Sequence, residues 1–186
     1  MIIQMCGLSG SGKSTLARAA ENVLKKQQIK VEILDGDEYR QTLCKGLGFS
    51  RHDRSENIRR MAFVARQLSK HEIVAVICAI NPYEEIRREI AVSYPGVSTV
   101  HIDCSIEILK ARDTKGLYQK AFLPEGHPER ISNLTGINDA FDEPEQPDLY
   151  INTDTDTIIT CTNKLIHFIH ERLKYTEKNR MAKVFK

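Results

Sequence analysis

The 186-residue chain lacks an excess of charge of either sign, because 27 Lys and Arg residues stand against 25 Asp and Glu residues and leave a net charge of +2. No overall field therefore favours binding to a nucleic acid polymer or a membrane surface, and any anion site must be local. The sequence has no apolar run near the roughly 20 residues of a membrane-spanning helix, and no basic leader with a cleavage site. We expect a protein that is neither exported nor embedded in a membrane.

Cysteine pairs of the CxxC type are also missing. The cysteines are odd in number and widely spaced, which argues against a disulfide framework and against a zinc site. A reducing cytoplasm fits this pattern best, and Cys78 and Cys104, which lie within apolar runs, are expected to be small core residues. The cysteines are Cys6, Cys44, Cys78, Cys104 and Cys161.

Short apolar runs alternate with longer helical stretches, which predicts an α/β domain with a five-stranded parallel sheet and helices on both faces. A hydrophobic content of 41% is enough for one substantial core, so residues 1–175 are predicted to form one domain. The predicted strands are 2–6, 31–34, 73–80, 97–102 and 149–152. The predicted helices are 13–27, 37–45, 53–71, 83–94, 105–112 and 156–175.

Two segments do not follow this alternation. Residues 113–148 are broken by several prolines and glycines, and so long a stretch without a core pattern predicts a functional lid over a site. The alternative for this segment is a simple surface excursion. Residues 176–186 are basic with little periodicity, and we expect a loose C-terminal tail there.

A phosphate-binding loop is the strongest signal in the chain. Residues 7–14 read GLSGSGKS, the Walker A spacing, directly after a predicted strand and before a predicted helix. Backbone amides of such a loop cradle phosphates, its lysine reaches the β- and γ-phosphates, and its serine hydroxyl binds Mg²⁺. ATP and Mg²⁺ are therefore the expected cofactors. The residues predicted to bind ATP here are Gly7, Ser9, Gly10, Ser11, Gly12, Lys13, Ser14 and Thr15.

A GTPase switch is the alternative from a different class of P-loop protein. Residues 113–116 spell DxxG, but they follow the fourth apolar run instead of the third. The guanine-reading NKxD pattern is absent as well, since Asn163 and Lys164 are followed by Leu165 and Ile166. The sequence therefore favours a kinase, with a non-catalytic nucleotide-binding module as a further alternative.

Two aspartates replace the carboxylate that many P-loop proteins carry after the third strand. Asp35 and Asp37 follow the second predicted strand, at the edge where open α/β sheets bind ligands. Asp35 is the candidate metal-side carboxylate beside Ser14, and Asp37 the candidate group that orients or deprotonates the acceptor hydroxyl. The alternative is a turn in which both aspartates act as hydrogen-bonding caps.

Six further segments carry a resemblance to the adenylylsulfate kinase family. In chain order they read LDGDEYR (34–40), LGFSRHDRSENIRR (47–60), INPYEEIRREI (80–90), IDC (102–104), RDTKGLYQKA (112–121) and LTGIND (134–139). The match runs from Gly7 to about Thr153. The resemblance implies a nucleotide-kinase type of P-loop fold, a homodimer, and transfer of phosphate from ATP to the 3′-hydroxyl of adenosine 5′-phosphosulfate.

The same resemblance implies roles for individual residues. Lys115 would lie over the transferring phosphoryl group when the lid closes and would act in catalysis with Lys13, Asp35 and Asp37. Arg112 would pack on the adenine of ATP. The implied acceptor site consists of Asp37, Arg40, Phe49, Arg54, Asn57, Ile80, Asn81, Lys115, Leu134 and Thr135.

Three positions depart from the family pattern. Leu134 stands where an aromatic usually stacks on the acceptor's adenine. Asn81 stands where a serine is common, which excludes a phosphoserine intermediate there and favours direct in-line transfer. Residues 122–133 differ from the usual lid in length and composition. All three affect the acceptor side, so another nucleotide, such as a cytidine diphosphoramidate-type compound, is the alternative acceptor.

Overall fold

The structure, a computed structural model, describes residues 1–184 and has a five-stranded parallel sheet at its centre. The strands are β1 (Ile2–Cys6), β2 (Val31–Asp35), β3 (Val74–Cys78), β4 (Val97–Asp103) and β5 (Leu149–Asn152). The helices are α1 (Lys13–Lys26), α2 (Gly36–Gln41), α3 (Arg51–Lys70), α4 (Glu84–Ser93), α5 (Ile106–Arg112), α6 (Leu117–Ala121) and α7 (Ile158–Val184). The predicted fold class is confirmed.

The strand order is β2-β3-β1-β4-β5, and every neighbouring pair is parallel. All residues of β1 and β3 are buried, as expected for strands covered by helices on both faces. Because all five strands run in the same direction, the segments that follow β1, β2 and β3 meet at one edge of the sheet.

Side chains of β1 alternate between two cores. Ile3 and Met5 pack with residues of α1 and α7, such as Leu16 and Leu165. Ile2 faces the other side and packs with α3 and α4, where Met61 and Ile90 are among the buried residues. The period of two along a strand therefore builds one apolar layer on each face of the sheet.

Helix α7 is longer than predicted. It continues to Val184, so the end predicted at residue 175 and a loose tail from 176 are wrong for the described part of that segment. Its residues include strong helix formers such as Lys, Glu, Arg and Ala, which extend a helix even where no apolar stripe is present. Residues 185 and 186 of the predicted tail lie outside the described residues.

Helix α2 is shorter than the predicted 37–45. It ends at Gln41, and the chain then turns so that the Cys44 amide donates to the Tyr39 carbonyl oxygen at 2.7 Å. This turn places the Cys44 side chain in a fully buried position.

Across the described residues, no helix has both the length and the apolar character needed to cross a lipid bilayer.

The predicted lid segment, 113–148, contains the short helix α6 and is otherwise irregular. It is attached through a small third core, in which Leu134 and Tyr118 are buried against Leu109 and Cys104. Leu8 of the phosphate loop packs against this cluster. The segment therefore lies beside the phosphate loop.

Candidate functional site

A cavity of about 770 Å³ opens at the edge of the sheet where β1, β2 and β3 end. Its walls come from the phosphate loop, the β2–α2 junction, α3, the segment after β3 and the predicted lid. The structure brings most of the predicted site residues to this one cavity. Those bordering it are Ser9, Gly10, Gly12, Lys13, Ser14, Thr15, Asp35, Asp37, Arg40, Phe49, Arg54, Asn57, Ile80, Asn81, Lys115, Leu134 and Thr135.

Gly7, Ser11 and Arg112 are the predicted residues that do not border the cavity. Gly7 begins the loop at a φ of 146°, and a Cβ atom there would lie 2.2 Å from the Ile102 carbonyl oxygen. Only glycine fits both conditions, so Gly7 shapes the loop from behind. Arg112 donates from Nη2 to the Thr153 carbonyl oxygen at 2.8 Å.

Lys13 is folded back over the phosphate loop. Its ammonium group donates to the carbonyl oxygens of Gly7 and Leu8, each at 2.8 Å. Burial lowers the pKa of Lys13 to about 8. A cation that is short of hydration inside an anion-binding loop gains most when phosphate oxygens approach it.

Ser14 and Asp35 meet directly, although they come from different strand ends. The Ser14 hydroxyl donates to Asp35 Oδ2 at 2.7 Å, while Asp35 Oδ1 accepts from the Asp37 amide at 3.0 Å and caps α2. Asp35 thus lies beside Ser14, as predicted. It also caps helix α2, which is the role that the alternative interpretation gave to it. A hydroxyl and a carboxylate are oxygen ligands of the kind that Mg²⁺ takes, together with phosphates and water.

Asp37 and Lys115 form an ion pair across the mouth of the cavity. Asp37 lies in the first turn of α2, and Lys115 lies at the start of the predicted lid. The predicted lid also contacts the phosphate loop, because the Tyr118 hydroxyl donates to the Ser9 carbonyl oxygen at 2.8 Å. The two residues predicted to act on the acceptor are therefore neighbours beside the loop that holds the donor.

Two guanidinium groups flank one aromatic ring. The Cζ atom of Arg40 lies 4.6 Å from the centre of the Phe49 ring, and that of Arg54 lies 5.3 Å from it. Burial, followed by the positive charge of Arg54, lowers the pKa of Arg40. Like charges brought this close in a cavity favour an anionic ligand, and the half-exposed ring offers a face to a base.

Arg54 also joins α3 to the predicted lid segment. Its Nη2 donates to the Asn133 carbonyl oxygen at 2.6 Å and lies 3.1 Å from Asp139 Oδ2, while Nε donates to the Phe49 carbonyl oxygen at 2.9 Å. The sequence pattern pointed to Arg54 as a ligand contact, but it did not reveal Asn133 and Asp139 as its partners. Asp139 lies within the LTGIND motif, which was the available signal.

Several residues that border the cavity carry buried polar atoms without partners. Three side chains that border it, those of Asn57, Asn81 and Thr135, each have a buried oxygen that no described group hydrogen-bonds. Leaving such an atom unpaired costs about 1–3 kcal/mol, so three at one cavity indicate a polar ligand. Among the described residues Thr162 of α7 is the other case, and it does not border the cavity.

Gln4 and Arg87 support the site but were missed from the sequence. Gln4 is a fully buried amide within the central strand β1, and Arg87 of α4 is 2% exposed. Gln4 donates from Nε2 to the Arg87 carbonyl oxygen at 3.0 Å, and the Arg87 guanidinium donates to the Asn81 carbonyl oxygen at 2.7 Å. No spacing rule joins these positions, because their contacts form only when α4 packs on the sheet.

Comparisons with known proteins point to one family. Residues 1–152 match the family model described as adenylylsulphate kinase. The adenylyl-sulfate kinase of Chloroflexus aurantiacus is 42% identical over 178 residues, which cover 96% of this chain and 92% of that protein. That of Deinococcus deserti is 44% identical over 153 residues, 82% of either chain.

A solved structure is similar over nearly the whole fold. The Mycobacterium tuberculosis APS kinase CysC, in complex with AMPPNP and APS, superimposes with a TM-score of 0.82 at 34% identity. The match covers 91% of this chain and 96% of that one.

Proposed function

This chain belongs to the adenylylsulfate kinase family, and we propose from that premise that it transfers the γ-phosphate of ATP to the 3′-hydroxyl of adenosine 5′-phosphosulfate. The products are ADP and 3′-phosphoadenosine 5′-phosphosulfate. One observation carries this proposal: a single cavity joins a phosphate loop to the Asp37–Lys115 pair and to the two arginines that flank Phe49.

The donor side consists of the phosphate loop and the adjoining Ser14–Asp35 pair. Lys13 exchanges its loop carbonyl partners for oxygens of the β- and γ-phosphates, and the loop amides bind the remaining phosphate oxygens. Ser14 and Asp35 would hold Mg²⁺, which neutralises charge on the phosphates when it is bound.

The acceptor side places a carboxylate at the hydroxyl that reacts. Asp37 accepts the proton of the 3′-hydroxyl while the hydroxyl oxygen forms its bond to the γ-phosphorus and the bond to the β,γ-bridging oxygen breaks. Lys115 lies beside Asp37 and stabilises negative charge on the phosphoryl group. Direct transfer needs no phosphorylated side chain.

Acceptor recognition is assigned to the groups around Phe49. Its ring stacks on the base, and Arg40 and Arg54 contact the anionic phosphosulfate end. The buried oxygens of Asn57 and Thr135 accept hydrogen bonds from the nucleotide. Arg112 reaches the adenine of ATP from outside the cavity.

The proposal also covers the domain, its lid and its assembly. Residues 1–175 act as one kinase domain, with a lid at about 113–148 that closes over the reactants and excludes water. The basic residues 176–184 continue helix α7 beyond that domain. The protein works in sulfate assimilation in the cytoplasm as a homodimer, and sedimentation of the purified chain tests that stoichiometry.

The test compares acceptors with one enzyme preparation. We expect ATP-dependent ADP release with adenosine 5′-phosphosulfate, and a kcat/KM well above that for a cytidine nucleotide with a 5′ diphosphoramidate. Product identity is checked by mass and by loss of the 3′-hydroxyl. A preference for the cytidine compound would overturn the acceptor while leaving the kinase assignment, and activity with GTP alone would overturn the donor.

A further inference from the structure

Asn81, in the segment after β3, is held rigidly at the edge of the cavity. Its backbone adopts a φ of 47°, a left-handed conformation that asparagine tolerates better than most residues. The Arg87 guanidinium donates to its carbonyl oxygen at 2.7 Å, and its side chain is only 1% exposed. Both its backbone and its side chain are therefore held by contacts within the protein.

A series of hydrogen bonds fixes which way the Asn81 amide points. The Arg87 carbonyl oxygen can only accept, so the Gln4 group facing it at 3.0 Å must be the Nε2 donor, which also reaches Thr99 Oγ1. Gln4 Oε1 is then the acceptor at the other end, and Asn81 Nδ2 donates to it at 3.2 Å. The remaining amide atom of Asn81 is Oδ1, which has no partner among the described groups.

An oxygen fixed in this way accepts hydrogen bonds but cannot donate them. Phosphate and sulfate oxygens are also acceptors, so neither can satisfy Asn81 Oδ1. We propose that Asn81 is a binding residue whose Oδ1 accepts a hydrogen bond from an O–H group that enters the cavity with the reactants. Gln4 acts through Asn81, by holding its amide in that orientation.

This inference rests on the proposed function, which supplies two sources of such an O–H group. One is a ribose hydroxyl of adenosine 5′-phosphosulfate, and the other is a water molecule bound to Mg²⁺. In either case the fixed acceptor favours a donor at this point of the cavity and disfavours an anionic oxygen. Asn81 thereby helps to distinguish the hydroxyl side of the reactants from their anionic groups.

The test is calorimetric binding to the wild-type protein and to Asn81→Gly, since glycine accepts the left-handed backbone without strain. One arm measures adenosine 5′-phosphosulfate against its 2′-deoxy and 3′-deoxy analogues in the presence of ADP. The other arm measures AMPPNP with and without Mg²⁺. Thr162→Val is the matched control, because it also removes a buried unpartnered oxygen, but away from the cavity.

We expect Asn81→Gly to reduce by roughly tenfold either the hydroxyl-to-deoxy affinity ratio or the gain in AMPPNP affinity from Mg²⁺, because the incoming O–H donor loses its buried acceptor. Loss of the hydroxyl-to-deoxy ratio identifies the ribose, and loss of the gain from Mg²⁺ identifies the metal-bound water. Unchanged ratios in both arms, or equal changes in Thr162→Val, would refute the inference. A wild-type protein that binds no adenosine 5′-phosphosulfate would instead refute the proposed function.

Discussion

Replacing Arg54 with methionine removes the guanidinium that joins α3 to residues 133–139 of the predicted lid, while keeping a long apolar side chain. The change breaks hydrogen bonds to the carbonyl oxygens of Phe49 and Asn133 and an ion pair with Asp139. Because Arg54 is only 6% exposed, water cannot fully replace it at the two carbonyl oxygens. The Asp139 carboxylate is partly exposed and can be rehydrated, so the ion pair contributes less.

The magnitude follows from these contacts. Of these contacts, the hydrogen bond to the Asn133 carbonyl oxygen and the partly exposed ion pair with Asp139 attach residues 133–139, and a hydrogen bond to a charged donor contributes about 1.5–3 kcal/mol, which gives about 2 kcal/mol for the attachment. That energy corresponds to roughly a thirtyfold rise in the detached population of the segment, at roughly tenfold per 1.4 kcal/mol. The apolar layers on the two faces of the sheet are untouched, so the domain itself stays folded.

Hydrogen exchange of peptides covering 133–139 measures this directly, and adenosine 5′-phosphosulfate affinity is expected to fall in parallel. Arg51→Met is the matched control on the same helix, since Arg51 is exposed, lies over the Tyr83 ring and pairs with the exposed Glu85. If exchange in the segment is unchanged in Arg54→Met, or rises equally in Arg51→Met, the guanidinium does not hold the lid.

Four further predictions concern the reaction centre. Lys13→Ala is expected to abolish phosphoryl transfer with the fold retained, checked by turnover and circular dichroism. In the wild type AMPPNP affinity should fall as pH rises through about 8, where free Lys13 loses its proton, and should be flat well below it. Asp37→Asn should lower kcat far more than ATP affinity, whereas Asp35→Asn should change the Mg²⁺ dependence; if both variants raise only the KM for ATP, the assigned roles are wrong. Leu134→Phe should tighten adenosine 5′-phosphosulfate binding, by up to about tenfold, or leave it unchanged, and should lower the melting temperature because Leu134 is buried. Weaker binding with improved cytidine nucleotide turnover would contradict this.

Local rules predicted the parts of the site that depend on short spacings. The Walker A pattern predicted a glycine-rich loop between β1 and α1, and the shared edge of parallel strands predicted that Ser14 and Asp35 would lie close together. The boundaries of β1 and β5 were also correct, because each is a short apolar run with clear ends.

Contacts between distant parts of the chain could not be predicted in this way. Gln4 is followed along the chain by apolar Met5 and preceded by Ile3, and nothing in that run shows that its partners are Arg87 and Thr99. The end of α7 was missed for another reason. Apolar periodicity was used to place the end of this helix, and that periodicity stops before the helix itself ends. Propensity was the better guide there.

The contacts that Lys13 makes within its own loop affect how a measured nucleotide dissociation constant is interpreted. Its ammonium group makes two close contacts with backbone oxygens of the loop, so an incoming phosphate replaces these partners instead of meeting a bare charge. A measured dissociation constant therefore reports the difference between two well-coordinated states of the same cation. The strength of the lysine–phosphate contact itself is therefore larger than the measured affinity difference.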